Sequence, residues 1–192
     1  MRKLTAIAAG FLWALFAGAA FAQKSSPLVL EPGRYSYSFG VPSGWNYSFE
    51  QARRLDLKLL YYPEGCLLRD ATSIITIGEI CRSECSGKLA GTIQRAAESI
   101  GDRGSDLRIA SAPPLKIRAG GEAEVRIVTH ARAPQQVQEA LAFIGHEETI
   151  VLVVLTTKTP DTWDRDFRAF EDIVRGHQFF NCGRPELAIP CR

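Results

Sequence analysis

"TIVLVVLTTKTPDTWDRDFRAFEDIVRG", residues 149–176, changes its hydrophobic period halfway along, and that change sets the fold class. Residues 149–157 are apolar on both faces and rich in β-branched side chains, the mark of a central strand covered on both sides. Beyond Thr159 the period lengthens. Trp163, Phe167, Phe170 and Val174 recur at helical spacing, which predicts a helix over 159–176. Thr159 or Asp161 can cap it, and Pro160 suits its first turn. Asp161, Asp164 and Asp166 crowd the N-terminal half, where the helix dipole favours anions, and read as solvated acids. Gly176 is a natural residue to follow the last turn.

Upstream of this stretch the pattern is mostly that of strands. "EALAFIG" (139–145) precedes the polar turn His146-Glu147-Glu148. In "GEAEVRIVTH" (121–130), Ala123, Val125, Ile127 and Thr129 alternate with polar residues, with Val128 breaking the pattern. "LRIAS" (107–111) and "PLKI" (114–117) read as separate strands divided by prolines. "SGKLAGTIQRAAESI" (86–100) has helical period through Leu89, Ile93, Ala96, Ala97 and Ile100, and "GDRGSD" (101–106) ends it in a surface loop. "LDLKLLYY" (55–62) and "SIITIGEI" (73–80) predict a hairpin with a long loop. "RYSYSFGV" (34–41) is a strand with Tyr35, Tyr37 and Phe39 on one face, after an extended lead-in over 24–33. Strands, a helix, strands and a helix, without βαβ alternation, predict an α+β fold: one mainly antiparallel sheet with helices packed on it.

The N-terminus carries Arg2 and Lys3, an apolar run from Leu4, and Ala20-Phe21-Ala22 at a small-x-small cleavage position. The apolar run reaches Ala22, a length that would also suit an anchor. Its Ala/Gly-rich second half and the lack of a basic stop favour cleavage before Gln23. Residues 1–22 are therefore read as a signal peptide and 23–192 as one domain with a Cys-containing tail, periplasmic or secreted. Without Arg2 and Lys3 the 23 basic residues fall to 21, equal to the 21 acids. A neutral mature chain gives no reason to expect nucleic acid as a partner, nor a membrane once the signal is gone.

The five cysteines are Cys66, Cys81, Cys85, Cys182 and Cys191. Export favours disulfides over thiolate metal sites, and the odd count leaves one thiol over. Cys182 with Cys191 would pin the tail, and Cys66 with Cys81 or Cys85 would clip a hairpin loop. "CRSEC" is one residue too long for a thioredoxin-like pair. His130, His146 and His177 are scattered, and no zinc spacing is present.

"YSFGVPSGW" (37–45), together with residues 149–179, resembles the PsbP-like α/β/α sandwich family, which includes the photosystem extrinsic proteins and the Ran-binding Mog proteins. The shared pattern is an apolar strand running into a Pro-x-Gly-Trp turn, and a closing strand–linker–helix carrying F-x-x-F and I-V. It spans about residues 34–180. The resemblance implies an α/β/α sandwich that acts by binding partners, with no family active site to carry over.

Motifs for chemistry fall short. "GVPSG" (40–44) has Pro42 where a nucleophile elbow needs Ser. "HEETI" (146–150) ends in Ile150 where a zinc-protease helix needs His. Trp45 and Trp163 read as core anchors. Tyr61, Tyr62 and His146 are the candidates for contact with a partner or ligand. The leading expectation is an exported, non-enzymatic module that binds a protein of the envelope or a secretion system, an immunity-type protein included, with no cofactor. The alternatives are a small-ligand or metal-ion binder using His130, His146 or a free Cys, and a thiol-dependent enzyme using Cys81 or Cys85.

Overall fold

The computed structural model describes residues 26–31, 35–81, 91, 93–94, 107–130, 137–146 and 149–181. The signal segment, Cys85, Cys182, Cys191, the loop 101–106 and most of the helix expected over 86–100 lie outside the described residues. So do the side chains of Cys81 and His130.

In chain order the elements are β1 (Leu28–Glu31), β2 (Tyr35–Ser38), β3 (Trp45–Ser48), α1 (Phe49–Arg54), β4 (Leu59–Pro63) and β5 (Ser73–Cys81). They continue with β6 (Leu107–Lys116), β7 (Glu122–His130), β8 (Gln138–Gly145), β9 (Ile150–Thr157), α2 (Trp163–Arg175) and β10 (Gln178–Asn181). Among the described residues seven strands form one sheet in the order β3-β4-β5-β9-β8-β7-β6, and three form another in the order β1-β2-β10. All pairings are antiparallel. The expected α+β class with a mainly antiparallel central sheet is what the chain adopts.

Because strand side chains alternate, the large sheet has two distinct faces. Ile75, Ile77, Val125, Ala140, Ala142, Ile144, Val151, Val153 and Leu155 face one side, which is covered by the small sheet and α2. Val128, Leu141, Phe143 and Ile150 face the other and pack on Ile93, which lies in a helical stretch with Gly91 and Gln94. Val128, the residue that broke the alternation of β7, thus serves the second face. β9 is the middle strand of seven and carries apolar residues to both faces, as its composition implies.

α2 buries Ala169, Phe170, Ile173 and Val174 against this sheet. Trp163 and Phe167 are half-buried and stack on each other at 5.4 Å. The helix is tied at both ends. Its first turn bonds Ser73 at the start of β5, and the Arg175 carbonyl accepts from the Arg118 amide beyond β6, so α2 crosses the sheet diagonally. Residues 160–162 form a 3₁₀ turn rather than the first turn of the α-helix. Thr162, not Thr159 or Asp161, occupies the cap position, without a side-chain bond.

Two local expectations are revised. Residues 55–58 are not strand: Ser48 caps α1 through the Gln51 amide at 3.1 Å, and the helix closes through Leu55 and Asp56, the latter left-handed at φ 57°. Strand β3 precedes that helix, so the chain reaches β4 only at Leu59. Residues 107–116 form one strand, not two. Pro113 and Pro114 sit at a register shift between Ala112 and Leu115 on the sheet's outer edge, where missing donors cost no ladder bond.

The Pro42–Trp45 turn behaves as its residues require. Trp45 N–H donates to Pro42 O at 3.2 Å and Gly44 has φ +77°, a value that favours glycine.

Candidate functional site at the seam between the two sheets

Where the small sheet meets the large one, polar side chains from distant parts of the chain are buried together. β2 presents Tyr35 and Tyr37, 4% and 0% exposed. Both hydroxyls donate to Glu79 on β5, to Oε2 at 3.1 Å and Oε1 at 3.0 Å. Lys58 Nζ lies 3.9 Å from the same Oε1. Two phenols and an ammonium group give this inward carboxylate the donors a buried charge needs.

Alongside stands a histidine pair. His146 turns out of β8 on the face of Ile144, and His177 links α2 to β10. Their Nε2 atoms are 2.8 Å apart. At that distance one Nε2 carries a proton and donates, while the other accepts. The rings sit among aromatics: His146 stacks on Phe179 at 3.8 Å, and His177 packs on Phe39 at 4.8 Å and on Tyr37 at 6.0 Å. Burial pulls His146 from the usual 6.5 down to about 4. Burial, and then the neighbouring His146, bring His177 to about 3, with the Ser38 backbone offsetting part of the fall. Nδ1 of His177 is buried and makes no hydrogen bond of ordinary geometry. Both rings are therefore neutral at neutral pH.

A third buried group holds α2. Asp166 is 0% exposed and accepts from Ser73 Oγ through Oδ2 and from Arg165 Nε at 2.8 Å through Oδ1. The reading of this acid as solvated does not hold: it faces the sheet, and only Asp161 and Asp164 are exposed.

Of the candidate contact residues, Tyr61 is fully buried, with its hydroxyl donating to Gly40 O at 3.1 Å. Burial pushes its phenol far up. The Tyr61 ring thus lies inside the folded chain, whereas Tyr62 is half-buried on the other face. His146 joins the seam, not a merely polar turn. Cys66 is a half-buried free thiol whose Sγ donates to Pro63 O at 3.1 Å. The β4–β5 register aligns Leu59 with Ile77 and Tyr61 with Ile75, which puts Cys66 and Cys81 at opposite ends of the hairpin. Glu79 and the His146–His177 contact were not foreseen. Glu79, following Ile75 and Ile77 in the inward row of β5, was the one available signal.

No protein-family model and no curated protein matches the sequence. Solved structures do match in shape. The Ran-binding protein Mog1p of Saccharomyces cerevisiae is 14% identical, with 80% of this chain and 95% of that one covered and a TM-score of 0.52. LpqN of Mycobacterium tuberculosis, described as involved in cell envelope biogenesis, is 12% identical over 81% and 91%, with a TM-score of 0.52. Cyanobacterial PsbP from Synechocystis is 11% identical over 86% and 99%, with a TM-score of 0.48. At these identities the likeness is one of fold. The chain shares the fold of Mog1p and LpqN, an α+β fold of the kind its sequence pattern implied.

Proposed function

We propose that this chain is an exported, non-enzymatic binding module whose partner is another protein of the cell envelope. The observation that carries the reading is how the interior polar groups are used. Glu79 with its two tyrosines, the histidine pair, and Asp166 with Ser73 each join one layer to another. They stiffen a frame; none presents a nucleophile beside a base to the outside. Two proteins of the same fold, one Ran-binding and one of envelope biogenesis, fit the reading. The N-terminal signal, the neutral mature charge and disulfides among the five cysteines belong to the same proposal. Among the described residues no helix is long and apolar enough to cross a membrane.

A second reading, binding of a small ligand or metal ion, has one observation in its favour: two neutral imidazoles with facing Nε2 atoms. Among the described residues no group of three or more His, Cys, Asp or Glu is placed to hold a metal. Native mass spectrometry of the protein purified from its own envelope separates the two readings. A mass excess equal to a second polypeptide, lost on denaturation, supports the first. A stoichiometric metal or small molecule replaces it with the second.

A further inference from the structure

We propose that the His146–His177 contact is a proton-operated clasp, which holds the α2–β10 joint against the β8–β9 hairpin while the rings are neutral and releases it when both are charged. His146 belongs to the large sheet and His177 leads into the outer strand of the small one. Among the described residues β10 pairs with β2 alone, and its Phe179 stacks on His146 and, at 5.2 Å, on Tyr35. The clasp is thus one side-chain hold next to that strand.

The proton arithmetic follows from the 2.8 Å contact. The neutral pair shares one N–H···N bond. A first added proton keeps the bond but places a cation in an aromatic cage. A second sets two N–H donors face to face and two positive charges in contact, so the rings must part. The surroundings offer little relief. β2 contributes Tyr37, whose hydroxyl is given to Glu79, and β5 contributes Glu79, already bonded to two phenols and close to Lys58. β10 brings the uncharged Phe179. The last turn of α2 carries Asp172 and Arg175, both exposed, with Arg175 paired to Glu171. Glu147 and Glu148, next to His146 in sequence, lie outside the described residues.

Both imidazoles titrate lower in the closed state than in the open one, so the clasp is fully present above the ordinary 6.5. It is lost as pH falls towards about 4 and then about 3. With two protons taken up on opening, the open population rises by up to about 100-fold per pH unit across the upper part of that window.

Hydrogen–deuterium exchange of the full chain, corrected for intrinsic rates, tests this at about pH 7 and about pH 5, either side of the ordinary histidine range. The expected result is a loss of protection of roughly tenfold or more in Gln178–Asn181 at the lower pH, with β9 still protected. His177→Phe fills the cage with a ring that cannot titrate, and His146→Gln removes the other proton site from a half-buried turn. In either variant one titrating ring remains, so the acid response of the β10 protection falls to at most about tenfold per pH unit, half the parent's on a logarithmic scale. The clasp is refuted by β10 protection that does not change in the wild type. It is equally refuted by simultaneous loss in β9, or by variants as acid-sensitive as the parent. If His177→Phe does not fold, His146→Gln decides alone.

Discussion

Replacing Ser73 by Ala isolates one buried contact between α2 and the sheet. Ser73 is 1% exposed and Asp166 0% exposed, and the serine hydroxyl donates to Oδ2. Removing it leaves a buried carboxylate oxygen facing a methyl group, while Arg165 still holds Oδ1 at 2.8 Å. A hydrogen bond to a charged group contributes about 1.5–3 kcal/mol, so Ser73→Ala is expected to cost about 2 kcal/mol. For a domain of this size that is a fall in Tm of about 4–8 °C. The control is Glu50–Arg54, another close ion pair at 2.6 Å, but 74% and 66% exposed. Arg54→Ala is expected to cost no more than about 0.5 kcal/mol, because water already solvates both charges. Urea unfolding of the two variants beside the parent gives the comparison. The double variant Ser73→Ala with Asp166→Leu removes the stranded charge as well, and recovers part of the loss since Arg165 is 64% exposed and stays hydrated. A loss below ~0.5 kcal/mol in Ser73→Ala, or a double variant less stable than Ser73→Ala alone, refutes the argument that this contact is a buried, charge-assisted one.

Other substitutions probe other joints. Tyr37→Phe takes one phenol from Glu79, leaving Oε1 with Lys58 at 3.9 Å. It is expected to cost about 1.5–3 kcal/mol by urea unfolding, where an unchanged midpoint would show the seam to be dispensable. Gly176→Ala places a Cβ 3.0 Å from Asp172 O and 3.2 Å from Gly40 N, both backbone atoms with little freedom to yield. A loss of about 1–3 kcal/mol is expected from the overpacking, read as a lower Tm. Gly44→Ala meets no atom within 4 Å but must adopt φ +77°. Here the expected cost is about 1–2 kcal/mol of backbone strain alone, and Gly44→Asn should recover some of it because Asn tolerates that region.

Much of the frame was legible along the chain because strands and helices advertise burial through period. β9, β5 and β2 and the buried stripe of α2 follow from the spacing of apolar residues, and so does the antiparallel α+β class. α1 was legible too, since Ser48-x-x-Gln51 is a capping signature, but the run Leu55–Tyr62 reads more loudly as strand. What decided against strand there is a left-handed Asp56 that closes the helix, a local event with no periodic trace. Pro113 and Pro114 misled for a related reason. A proline pair breaks a central strand but not an edge strand, and only the sheet order says which β6 is.

The amino-acid sequence by itself determined the class of fold, the turn at Pro42–Trp45 and the faces that are apolar, because these depend on neighbours a few residues apart. The seam was decided by tertiary structure alone. Tyr35 and Glu79 are 44 positions apart, His146 and His177 31 apart, and Ser73 and Asp166 93 apart. No local pattern encodes such pairs. They exist because two sheets and a diagonal helix, each placed by its own hydrophobic face, bring their few inward polar groups within reach of one another. Burial then makes every such group bond to another or titrate away from its ordinary value.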